Sequence, residues 1–93
     1  MTDLPVSRIT LRARVGASLA TERVRDMVVA AAPALAERHG VDVIDVVASA
    51  DAVECRIRGS QIVALGFAAE LRRTTESWYE HTHDGAMLWK VAE

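Results

Sequence analysis

The spacing of apolar residues switches between two and three-to-four along this chain, and the order of those switches constrains the fold more than any motif. From Val6 to Val15 the apolar residues stand at every second place, with Ile9, Leu11, Ala13 and Val15 on one face and Arg8, Thr10, Arg12 and Arg14 on the other. That period predicts a strand with one side buried. Gly16 breaks it. Ser18 or Thr21 is a candidate helix cap, and Glu22 sits in the first turn, where the helix dipole favours an acid. Ala20, Val24, Met27, Val28, Ala31 and Leu35 then form a helical stripe that ends near Arg38, His39 and Gly40, with Pro33 expected to kink it.

The run VDVIDVVAS is rich in β-branched residues and predicts a second strand. A turn at Ser49–Asp51 leads into AVECRIRG, where Val53, Cys55 and Ile57 share one face and Glu54, Arg56 and Arg58 the other. Gly59 ends that arm, and Ser60 is the expected N-cap of a long helix, SQIVALGFAAELRRTTESWYEHT, with a core stripe of Ala64, Phe67, Ala68, Leu71, Thr75 and Trp78. Asp84-Gly85 reads as a turn, and AMLWKV as a closing strand with Met87, Trp89 and Val91 on one face.

The resulting order, β-α-β-β-α-β, predicts one α+β domain over residues 1–93: a ferredoxin-like plait, a four-stranded antiparallel sheet with both helices on one face. A chain of 93 residues is large enough for one core and no second domain. The opening MTDLPVSRIT carries an acid and a proline where a secretory leader needs a basic patch and an apolar run, and no stretch reaches the apolar length of a membrane span. A cytoplasmic protein with no membrane partner is therefore expected. The single cysteine, Cys55, forms no internal disulfide, and one thiol without a ligand set makes no zinc site. No cofactor and no metal is implied.

With both helices on the apolar face, Arg8, Arg12, Arg14, Arg56 and Arg58 all stand on the open face of the two central strands, with Glu54 the only acid expected among them. Lys90 falls at one edge. Guanidinium forks suit phosphate or carboxylate, so a negative partner is one reading of this face. The other is an ordinary solvated sheet face whose long side chains lie over the strands. The excess of arginine over lysine also fits the composition of a GC-rich bacterial genome, and a net charge of −2 supplies no global field for polyanions. The topology resembles that of RNA-recognition-motif domains, but the central outward positions hold Thr10, Arg12, Glu54 and Arg56 in place of base-stacking aromatics. Only backbone contact would remain.

A second apolar patch lies on the last helix, where Ile62, Leu65 and Ala69 fall roughly opposite Ala64, Phe67 and Leu71. One core cannot bury both sides, so this stripe is the expected oligomer interface or protein-docking surface. In EHTHDG the ligand-type residues Glu80, His81, His83 and Asp84 crowd together, but two histidines two apart diverge on a helix. Cys55 shares the inward parity of Val53 and Ile57 and is expected to be a buried, unreactive thiol. His39 is placed as a helix-end cation, Trp78 as core and Tyr79 as rim. Three functional classes follow: a non-catalytic, self-associating binding module; a nucleic-acid-backbone binder using the arginines; and an enzyme whose active site forms at a dimer cleft from His81, His83 or Tyr79. No catalytic set is assembled within one chain.

Overall fold

The computed structural model describes residues 5–14, 22–82 and 88–89. Its elements are β1 (Val6–Arg12), α1 (Glu22–His39), β2 (Asp42–Ala48), β3 (Ala52–Arg58) and α2 (Gln61–Thr82), an α+β arrangement in βαββα order. The sheet runs β1-β3-β2, and both pairings are antiparallel. The expected closing strand lies outside the described residues except for Leu88 and Trp89, which meet the end of β1 through an antiparallel bridge from Trp89 to Ala13. The proposed helix caps Ser18 and Thr21, together with Lys90, also lie outside them.

Strand parity follows the alternation. Ile9, Val53, Cys55 and Ile57 are buried, and Ser7, on the same side, is buried with its hydroxyl donating to the Gly59 carbonyl at 2.9 Å. Arg8, Thr10, Arg12, Arg56 and Arg58 are exposed. The inward side meets α1 through Val24, Val28, Ala32, Leu35 and Ala36, and α2 through Ala64, Phe67, Leu71, Thr75 and Tyr79. Burial of each of the larger side chains, Val24, Val28, Leu35, Phe67 and Leu71, contributes on the order of 1.5–3 kcal/mol, which is what holds two otherwise marginal helices on the sheet.

Two glycines set the joints. Gly40 has φ +67, and the Val41 and Gly40 amides donate to the carbonyls of Ala36 and Glu37 at 2.8 and 3.4 Å. This closes α1 with the paired bonds of a Schellman motif, in which a Cβ at the left-handed position would be strained. Gly59, at φ +151, turns β3 into α2, and its amide donates to the Pro5 carbonyl at 2.7 Å. Ser60 then caps α2, its hydroxyl accepting from the Val63 amide at 3.3 Å. α1 continues through Pro33 to His39, with Pro33 on an exposed position.

Two sequence expectations are corrected. Tyr79 is core and not rim, at 4% exposure, whereas Trp78 is only partly buried. Ring size misleads here: Tyr79 continues the Phe67-Leu71-Thr75 line at three-to-four spacing, and its helix position decides. The second concerns Glu54, expected as the only acid among the arginines: Asp42 and Asp45 of β2 join it. Strict alternation would place Asp42 and Asp45 on opposite faces, yet they pair with Arg58 and Arg56, alternate residues of β3, because a bulge lies between Val43 and Asp45. The extra residue, Ile44, returns Asp45 to the open face and leaves Val43 and Val46 packed against the core.

Candidate functional site

The open sheet face is where the arginines gather, and the β2 bulge decides its electrostatics. Arg8 Nε approaches Glu54 Oε1 at 2.7 Å, and Arg58 Nε approaches Asp42 Oδ2 at 3.1 Å. Arg56 grips Asp45 with both arms: Nε lies 3.0 and 2.9 Å from the two carboxylate oxygens, and Nη2 also bonds Oδ2. With three contacts between guanidinium and carboxylate, this is the most extensively bonded pair on the face among the described residues. The Arg56 guanidinium holds the Asp45 carboxyl below its ordinary range, with Arg8 assisting, and Asp45 in turn raises Arg56.

Glu54 is thus not the only acid among the arginines, as expected from the sequence; Asp42 and Asp45 join it. The signal that could have revealed them is the spacing itself. Two acids three apart in a β-branched run would send one carboxylate into the core, and a bulge is the ordinary escape. Three of the five arginines therefore spend their forks on neighbouring acids. Arg12 is exposed and has no ion pair among the described residues. Arg14 stands exposed just past β1. A shallow depression at the hairpin end of the face brings Arg12 together with Asp51 and Glu54, so even there the field is mixed.

The stripe on α2 is the second candidate. Ile62 is 82% exposed and Leu65 56%, the former the most exposed large apolar side chain among the described residues, and Ala69 is exposed on the same line. Leu65 and Ala69 also wall a groove of about 390 Å³ between α2 and β1, with Arg8, Thr10 and Arg72 at its rim. The ladder bonds from Gly59 to Pro5 and from Ala13 to Asp51 show which backbone groups of β1 face β3. By alternation, those of Arg8 and Thr10 face the groove.

Among the described residues the cysteine and the histidines do not converge with acids into a metal-binding group. Cys55 is 1% exposed, and burial, with lesser pushes from Asp45 and Glu54, raises its thiol to about 11. It is a small core residue and not a nucleophile. His81 is exposed on the last turn of α2 while Tyr79 is buried, and His83 and Asp84 lie outside the described residues. Among the described residues no group of histidine, cysteine, aspartate and glutamate has the geometry to hold a metal ion. No helix of the described residues is long and apolar enough to cross a membrane. His39 occupies the last turn of α1, close enough to Glu70 to help lower that carboxyl after its main partner, Arg73.

Sequence reasoning missed one polar clasp. The Glu76 carboxylate accepts the backbone amides of Leu88 and Trp89 at 2.9 and 3.2 Å, and the Trp89 indole Nε1 donates to Thr75 Oγ1 at 2.9 Å. Thr75 Oγ1 in turn donates to the Leu71 carbonyl at 2.6 Å. This fixes Trp89, 1% exposed, against the end of β1. No family model and no curated protein matches this chain.

Proposed function

We propose that this chain is a small non-catalytic assembly module of the cytoplasm that self-associates, or docks another protein, through the outer stripe of α2. The carrying observation is that stripe: Ile62 and Leu65 stand 82% and 56% exposed in a helix already packed on its opposite side. Leaving such side chains in water forfeits much of the roughly 1.5–3 kcal/mol each would contribute when buried. The fold belonging to this reading is the ferredoxin-like plait. Its fourth strand would adjoin β1, and the Trp89–Ala13 bridge and the groove along Arg8 and Thr10 support that place.

Sedimentation equilibrium across micromolar concentrations tests the reading. The wild type should form a dimer, and Leu65→Arg should be a monomer with unchanged helix content. A wild type that stays monomeric overturns self-association and leaves the stripe to another protein; a variant that stays dimeric overturns the stripe as the interface.

The exposed Arg12, without an acid partner among the described residues, favours a second reading as a nucleic-acid-backbone binder. Its weakness is the pairing of Arg8, Arg56 and Arg58 with acids. Titrating labelled single strands at two salt concentrations decides between them. Each phosphate neutralised contributes about −0.7 to the logarithmic salt slope. The assembly reading expects no steep slope; a steep one that Arg12→Glu abolishes would favour the arginines. Of the residues of the dimer-cleft enzyme reading, Tyr79 is in the core, His81 is exposed and His83 lies outside the described residues.

A further inference from the structure

We draw no further inference here: the strongest candidate, the groove between α2 and β1 walled by Leu65 and Ala69 and rimmed by Arg8 and Arg72, belongs to the place already proposed for the closing strand, and nothing in the structure shows what else covers it.

Discussion

Replacing Thr75 with valine keeps the shape of the side chain and removes one oxygen, which makes it a clean probe of how the segment at Trp89 is held. In the wild type Thr75, with no exposed surface, accepts from the Trp89 indole at 2.9 Å, and Trp89 is itself 1% exposed. Valine leaves that indole N–H buried without a partner, at a cost of about 1–3 kcal/mol. The lost bond from Thr75 to the Leu71 carbonyl adds little, because that carbonyl stays within the helix ladder of α2. For a chain of this size each kcal/mol moves Tm by about 4–8 °C, so a fall of roughly 4–24 °C is expected in a calorimetric or circular-dichroism melt. Trp89→Phe removes the donor and part of the ring, so it is destabilising in its own right. In that background Thr75→Val should then change stability by less than about 0.5 kcal/mol. A Thr75→Val variant as stable as wild type, or one equally destabilised with and without the indole, would show that this bond does not hold Trp89 beside Ala13.

Two further outcomes are expected. The Cys55 thiol, raised to about 11 by burial, keeps its proton in the folded chain after the unfolded chain has begun to lose it. Stability should therefore be pH-independent on this account below about 9 and fall as pH rises towards 11; Cys55→Ala should lose that alkaline slope, and native Cys55 should resist thiol reagents until unfolding. Asp45 has the opposite sign. Its carboxyl is held below the ordinary value of 3.8 by Arg56, so the pair's contribution is present above that value and disappears as pH falls through the lowered one. Asp45→Asn should remove that acid-side dependence in denaturation curves taken across the acid range, and an unchanged curve would mean the pair adds nothing to stability.

Much of this fold is legible in one sequence because the signals are local. Ile9, Val53, Cys55 and Ile57 alternate inward as their period requires, Ser60 caps α2 with its hydroxyl, and Gly40 ends α1 with the left-handed turn its position suggests. The α2 stripe is legible for the same reason. A helix packed on one side leaves Ile62, Leu65 and Ala69 outside whatever it packs against.

The charge of the open face was not legible, because it depends on register between strands. Arg8, Arg12, Arg56 and Arg58 were placed by parity alone, but their partners Asp42 and Asp45 come from an edge strand whose facing changes at Ile44. The three-residue spacing of Asp42 and Asp45 signals a bulge within VDVIDVVA, but which arginines the acids meet is a property of the pair of strands. The clasp of Thr75 and Glu76 on Trp89 is of the same kind, joining residues 14 and 13 apart that no helical or strand spacing relates. By itself, then, the sequence determined which side chains of β1 and β3 lie inside and which lie outside, since burial there follows the backbone period. Which outside charges meet, and so whether an arginine-rich face presents a field to a partner or satisfies itself, only the tertiary structure decided, because strand register and the β2 bulge bring the acids to the arginines.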